Sequence, residues 1–429
     1  MAQAIRRHFS FMKGNMRVLT VRQVIGNFCR RMVMPYASLF ILAVGGQSSQ
    51  IGLINSLLPL AGLIMFPLSG YLTDRRGRVR LIALAGYLSA ATTLLYVLAP
   101  SWEWIALAAL IQGFMVFQFP PQSAILAESL DTRNRGIGVS TMNSVASAFA
   151  LFSPYIAGIV LEIYGNNIGM RMLYALMALS HLANAVIVQR YLKDRAGVTE
   201  SDDLPPIRTI LREAYGDIPG LFRQMTGSVK ALGVVAAMGF IANGVTGPFW
   251  VVYITEEIGL SRVDWGLILL LETILRMVLA IPAGAIVDRY GRTRSLFISL
   301  LFSFISTPLL ILSRGFTDIL LIRFAVTISG ILFMPASTAL MAEHVPRELR
   351  GRMMAALGRG SVIIGATGGG TGGPGMGYFF IIPVMVASIS GGMLYAISPV
   401  YPWFCVVVTT LIQVLTVILF IRDPVKSEE

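Results

Sequence analysis

Four charged side chains stand where charge is expensive. Arg30 and Arg31 lie about twelve residues into the first long apolar stretch, and Glu272 and Arg276 sit near the middle of another. A charge at the centre of a bilayer costs about 2.5–3.5 kcal/mol on insertion scales, so such residues mark substrate or ion paths by default. Adjacent residues of a helix point about 100° apart. Arg30 and Arg31 therefore address two directions, one toward a water-filled path and the other toward a neighbouring helix or, by snorkelling, an interface. Guanidiniums placed this way can bind an anionic group or close a structural ion pair. Glu272 and Arg276 are four residues apart and share a helix face, where they can pair. One reading is a self-neutralised pair packed against the first or fifth segment. The other is that Glu272 takes a proton in one conformation and Arg276 in the other, which would couple a conformational equilibrium to a proton gradient. Asn27, Gln112, Gln118, Gln122 and Asn243, with Tyr36, Phe119 and Trp250, can wall a cavity; each alone can also be a helix–helix hydrogen bond or a lipid-facing ring. Arg323 and Arg359 fall near the ends of their segments, where they can snorkel.

The elements that must position these residues are membrane spans. The chain has 429 residues, 55% hydrophobic and 13% charged, with a mean hydropathy of +0.72. Soluble domains carry about 25% charged residues, so most of this surface belongs in lipid. Twelve apolar segments cover roughly 18–43, 50–73, 81–99, 104–128, 136–163, 170–191, 231–255, 263–287, 294–313, 317–343, 352–395 and 399–421. A span needs about 20 residues, and eleven of the twelve fit single helices. With both termini on one side, the segments and loops of that side hold 25 of the 34 Lys and Arg. The opposite loops hold only Arg171, Arg262 and Arg314, and six arginines lie within helices: Arg22, Arg30, Arg31, Arg276, Arg323 and Arg359. This asymmetry places both termini in the cytoplasm of a multi-pass cell-membrane protein. It also accounts for the net charge of +12 without nucleic acid. Cys29 and Cys405 lie in apolar segments, so neither a disulfide nor, with three histidines, a metal cluster is expected. The basic N-terminus leads straight into a full-length span, unlike a cleavable signal peptide.

Two repeats organise the spans. Gly70–Arg80 reads GYLTDRRGRVR, and GAIVDRYGRTR follows at Gly284–Arg294, 214 residues on. Gly70 and Gly284 would let two helices approach closely, and Gly77 and Gly291 would allow the sharp turn. Arg75, Arg78, Arg289 and Arg292 would hold the loops inside. FPPQSAILAESLDTRNRG at 119–136 matches MPASTALMAEHVPRELRG at 334–351, aligning Pro120, Ala127, Glu128, Arg135 and Gly136 with Pro335, Ala342, Glu343, Arg350 and Gly351 at a shift of 215. The chain thus reads as two copies of a six-helix unit, 1–191 and 231–429, joined by a connector at 192–230. The loop G-x-L-x-D-R-x-G-R-x-R resembles the signature of the major facilitator superfamily between its second and third helices, with a duplicate between the eighth and ninth. The resemblance implies an all-α integral membrane fold of twelve transmembrane helices in two parallel six-helix repeats. It further implies that helices 1, 4, 7 and 10 line a central cavity. It places Asp74, and by the repeat Asp288, at a helix N-terminus of the opposite half, where the dipole favours an anion. Glu128 and Glu343 would join the loop arginines in an ion-pair network that breaks and reforms as the halves rock.

The connector opens as a solvated linker. From residue 207, Ile207, Ile210, Leu211, Tyr215, Ile218, Leu221 and Phe222 fall at helical spacing, with Arg208, Arg212 and Arg223 elsewhere on the surface. This predicts an amphipathic helix along the inner membrane face, kinked at Pro219, or alternatively a partner-binding segment. In the eleventh segment, GATGGGTGGPGMG at 365–377 cannot make a stable helix. It is either irregular backbone facing a substrate or ion, or an insertion without function. Proton-driven drug exporters of the superfamily tend to carry Arg-x-x-Gln-Gly in helix 4 and Gly-Pro in helix 5. Here Ala109 stands where that arginine would be, ahead of Gln112-Gly113, and Ser153-Pro154 keeps only part of the second motif. These departures tell against drug/proton antiport, and the helix 1 arginines with Arg276 lean toward an anionic substrate. The reading is a monomeric secondary transporter of a small organic solute, coupled to an ion such as H+ and needing no cofactor, with export ahead of uptake of an organic anion. A non-transporting sensor is the alternative. No nucleophile–base–metal set speaks for an enzyme, and no G-x-x-x-x-G-K-[ST] for ATP hydrolysis.

Overall fold

The computed structural model describes residues 13–75, 77–131, 135–194, 205–216, 218–345, 356–357 and 377–421, apart from the side chains of Asp74, Arg75 and Pro219. The first pass, α1 (15–43), is a helix Asn15–Val33, a 3-10 turn Met34–Tyr36 and a helix Ala37–Ala43. Next come α2 (Ser48–Arg75), α3 (Arg78–Leu98) and α4 (Trp102–Glu128), the last broken by a 3-10 turn at Met115–Gln118. The passes α5 (135–164) and α6 (166–191) follow one another so tightly that a single residue reverses the chain: Gly165, at φ 74° and ψ 168°. Only glycine adopts such a conformation without strain, and it replaces the longer loop expected between these spans. The second half holds α7 (Gly227–Glu257), α8 (Arg262–Tyr290), α9 (Arg292–Leu312), α10 (Phe316–His344), α11 (described over Tyr378–Ile397) and α12 (Tyr401–Phe420).

Among the described residues ten stretches are long and apolar enough to cross a membrane. One of them, Arg135–Tyr191, is far too long for one pass and turns at Gly165. The pass α1 is not among the ten, because its helix carries Arg17, Arg22, Arg30 and Arg31. The total is twelve passes, all helical.

Packing repeats along with sequence. In the first half α1 packs on α5 and α6, α3 on α6, and α2 on α4. In the second, α7 packs on α11 and α12, α9 on α12, and α8 on α10. The halves meet where α2 lies against α11 and where α5 lies against α8, which are equivalent pairs exchanged by the repeat. One apolar cluster takes residues from both halves, among them Tyr36, Phe40, Ile51, Leu161, Trp250, Trp265, Tyr395 and Trp403. All lie toward the face opposite the chain termini, called here the far face. Toward the terminal face each half has its own cluster, around Met16, Ile82 and Val188 in the first and around Leu232, Phe333 and Val417 in the second. Among the described residues the two halves therefore share their core at the far face and keep separate cores at the terminal face.

Three expectations change. Among the described residues a side chain at Gly70 or Gly284 would meet nothing within 4 Å, so no described helix makes the close approach expected at these glycines. Of the two loop glycines, only Gly291 (φ 94°) uses left-handed backbone, whereas Gly77 has φ −54°. The connector forms two helices, Ile207–Tyr215 and Ile218–Gln224, and the chain breaks at Gly216, before Pro219, which is the second residue of the second helix. The first of these helices docks on protein as well as presenting an exposed face. Tyr215 donates to the Leu63 carbonyl of α2 (2.7 Å) and packs edge-on against Tyr378 (5.6 Å) at the start of α11. Tyr71 of α2 donates to the Glu213 carboxylate. Arg359 and residues 365–376 of the glycine stretch lie outside the described residues.

Candidate functional site

The continuous helix Asn15–Val33 puts Arg22, Gly26 and Arg30 on one stripe of α1, with Arg31 turned aside from it. Arg22 donates to Gln118 Oε1 of α4 at 2.6 Å. Gln118 closes the 3-10 turn that precedes Pro120 and Pro121. Prolines offer no N–H to an α-helical ladder, so the chain tightens ahead of them. Arg30 is exposed and donates to Asn27 Oδ1 (3.1 Å), while Asn27 Nδ2 reaches the Ala146 carbonyl of α5 (3.4 Å). His181 of α6 lies within electrostatic reach of Arg22 and Arg30. Arg31 interacts with Arg276 and Glu272 of the second half. Among the described residues no carboxylate pairs with Arg22, Arg30 or Arg31. The structure thus joins Arg30 to Asn27, and Gln118 to Arg22 about two helical turns away, and adds two residues that sequence reasoning missed, Arg22 and His181. The spacing of eight between Arg22 and Arg30 is the signal that could have found the first. Gln112 donates to Ser89 Oγ of α3 (3.4 Å), a contact inside the first half.

In the second half, Glu272 is buried and held by two arginines. Arg276 Nη2 lies 3.0 Å from Oε1, and Arg323 donates to Oε2 through Nε (3.1 Å) and through Nη2. Arg323 is fully buried, with its guanidinium carbon 4.7 Å from the Trp250 ring centroid and 5.4 Å from that of Trp265. It does not snorkel. A carboxylate and two indole faces satisfy it inside the bundle. The Glu272–Arg276 pair forms as the spacing predicts, and Glu272 takes a further hydrogen-bond partner, Arg323, from α10. Trp250 is buried, edge-on to Trp403 at 4.8 Å, and walls this ion pair. Asn243, Thr246, Trp250, Thr307 and Trp403 line a small cavity among α7, α9, α10 and α12. Among the described residues Asn243 Oδ1 and the Trp250 and Trp403 indole nitrogens have no hydrogen-bond partner. At the far face, Tyr36 is buried with its hydroxyl 2.9 Å from both the Pro154 carbonyl of α5 and the Arg262 carbonyl of α8.

The repeated loops form equivalent ion pairs within each half. Arg78 Nη1 lies 2.6 Å from Glu128 Oε1, joining α3 to α4, and Arg292 pairs with Glu343, joining α9 to α10. The backbone N–H of Arg78 also donates to Asp194 Oδ2 (3.3 Å), an anion at the start of α3. Asp288 and Arg289 are exposed, with Arg289 over the Tyr290 ring at 5.7 Å. The side chains of Asp74 and Arg75 lie outside the described residues.

Two parallel six-helix repeats meeting through exchanged pairs, with cationic residues in the cleft, define a membrane transporter fold. The Major Facilitator Superfamily profile matches residues 22–218 and 232–429, and the chain belongs to that family. It is 24% identical over 336 residues to the multidrug resistance protein MdtG of Serratia proteamaculans (strain 568), covering 75% of this chain and 77% of that protein. It is also 24% identical over 332 residues to the multi-drug resistance efflux pump PmrA homolog of Lactococcus lactis subsp. lactis (strain IL1403), covering 76% and 78%. Among solved structures, a bacterial homologue of the iron transporter ferroportin in an inward-facing state aligns with TM-score 0.69 at 12% identity, covering 94% of this chain and 98% of that one. The nucleoside transporter NupG aligns with TM-score 0.65 at 13% identity, covering 95% and 98%. At these identities the structures share the fold.

Proposed function

We propose that this protein is a monomeric, proton-coupled exporter of small organic solutes, seated in the cell membrane with its termini in the cytoplasm. The observation that carries the reading is the asymmetric closure. Among the described residues the halves share an apolar cluster only at the far face, while Arg31 and Arg276 come within electrostatic reach of one another between α1 and α8. On this reading the terminal face is cytoplasmic, as the distribution of Lys and Arg supports, and the structure is an inward-open state of an alternating-access cycle. Units 1–191 and 231–429 rock against one another, and the loops carrying Asp74 and Asp288 serve as inner gates. The names of the MdtG and PmrA relatives support export. Glu272 is the coupling residue, because it is a buried carboxylate within electrostatic reach of Arg31 across the divide. The test is solute movement in proteoliposomes under an imposed pH gradient. Solute should accumulate in the direction the proton gradient drives. Glu272→Gln should abolish that accumulation while leaving downhill exchange. Unchanged proton dependence in the variant would remove Glu272 from this role, and no movement of any solute under any gradient would favour a sensor.

A further inference from the structure

The charges of the two halves are balanced differently. In the second half Arg276 and Arg323 share the Glu272 carboxylate. In the first half Arg22, Arg30 and Arg31 have only the neutral amides of Gln118 and Asn27 as hydrogen-bond partners in the described structure. Three guanidiniums with no carboxylate in contact, inside a membrane protein, repel one another and carry a large insertion cost. Each presents five N–H donors in a fork suited to carboxylate or phosphate oxygens, and a single amide oxygen leaves most of that capacity unused.

The arrangement has a direction. Arg22 lies about 12 Å nearer the terminal face than Arg30 along the helix axis, and His181 is within electrostatic reach of both. Arg30 and Arg31 are sequence neighbours deeper in and within electrostatic reach of one another, Arg30 steadied by Asn27 and Arg31 within reach of charges of the second half. A basic track therefore leads inward from the terminal face to a pair of adjacent guanidiniums.

We infer that Arg30 and Arg31, with Asn27, form a binding site for an anionic head group carrying two negative charges, a phosphate monoester or a dicarboxylate, and that Arg22, Gln118 and His181 form its approach. This rests on the transport reading and names the substrate class for it. Two negative charges match the two adjacent cations at the end of the track. A cationic solute would meet only repulsion there. The same chemistry could be met by a free organic anion or by the head group of an anionic lipid.

The experiment uses the full chain in phosphatidylcholine nanodiscs. Thermal shift and calorimetric titration are run with glycerol 3-phosphate, citrate, benzoate, glucose and tetraphenylphosphonium. A ligand of the folded state raises its melting temperature in proportion to ln(1 + [L]/Kd). Glycerol 3-phosphate or citrate should bind more tightly than benzoate and weaken as salt rises. Arg30→Gln and Arg31→Gln should each weaken that binding at least tenfold, Arg30→Lys less, and Arg22→Gln by only a few fold. Unliganded melting temperatures separate lost binding from lost folding, and Arg30→Lys keeps the test alive if a glutamine variant does not fold. Phosphatidic acid, whose head group is a phosphate monoester, retained in mass spectra of the purified protein and lost in Arg30→Gln, would assign the site to a lipid head group. Binding of tetraphenylphosphonium but no anion would overturn the inference and leave the transport reading standing. So would silence from every anion. Anion binding without movement of any solute would instead sink the transport reading and keep the site.

Discussion

Glu272 and Arg323 illustrate what one buried pair does to the residues around it. Both side chains are almost completely buried, and the guanidinium is stacked between Trp250 and Trp265. Breaking a buried ion pair from one side leaves an uncompensated charge and typically costs about 3–5 kcal/mol. Arg323→Met should therefore lower the thermal stability of the detergent-purified protein strongly. Arg276→Met should lower it clearly less, because that side chain is one-third exposed and water can replace it. Equal losses would mean that the buried pair is no more than a surface one. The Glu272–Arg276 contact was legible in the sequence because helical geometry alone joins residues four apart. Arg323 was not. Its position along α10 gave its depth, but its direction depends on α8 facing α10, and its partner lies 51 residues away.

At the scale of elements, α1 and α7 break at equivalent places. The turns Met34–Tyr36 and Gly247–Phe249 each hold a proline, Pro35 and Pro248, ahead of a buried aromatic residue. The prolines remove ladder hydrogen bonds and let each helix bend inward at the far face. This pairing was visible in principle as a shift of 213, close to that of the loops, but a proline within an apolar run looks the same whether it bends a helix or not. Tyr36 uses the bend. Its single hydroxyl proton is shared between carbonyls of α5 and α8, across the seam between halves. Tyr36→Phe removes about 1 kcal/mol from the closed seam alone. The far-open population should rise roughly fivefold, read from the distance between spin labels at Gln47 and Arg314 in a background without Cys29 and Cys405. An unchanged distribution would show that the apolar cluster alone holds the seam. Gly266→Ala should open it further. A methyl there would stand 2.6 Å from the Pro154 carbonyl oxygen and 2.7 Å from the Tyr36 hydroxyl, closer than real contacts allow. If far-face label distances in that variant stay short, the backbone can yield and the close approach is not what sets the seam.

For the whole molecule, the repeat was legible because two loops and two helix ends recur at nearly one shift, and such matches survive where apolar positions drift. The closure at one face was not, because it depends on the register of α2 against α11 and of α5 against α8, which no local pattern encodes. That closure bears on the loop ion pairs. The family resemblance casts them as contacts that break and reform between halves, yet Arg78–Glu128 and Arg292–Glu343 each lie within one half. Both are partly exposed, and such pairs contribute about 0–1 kcal/mol. They are better suited to brace α3 on α4 and α9 on α10 while the halves move as bodies. A brace need not open during the cycle, whereas a gate must. Arg78→Cys with Glu128→Cys, bridged by a short bifunctional thiol reagent in a background without Cys29 and Cys405, should therefore still alternate. Hydrogen exchange at 247–254, within the shared far-face cluster, should match that of the unbridged protein, and solute flux should persist. If bridging instead stops flux and protects that segment from exchange, the pair must separate in every cycle, and the brace becomes a gate.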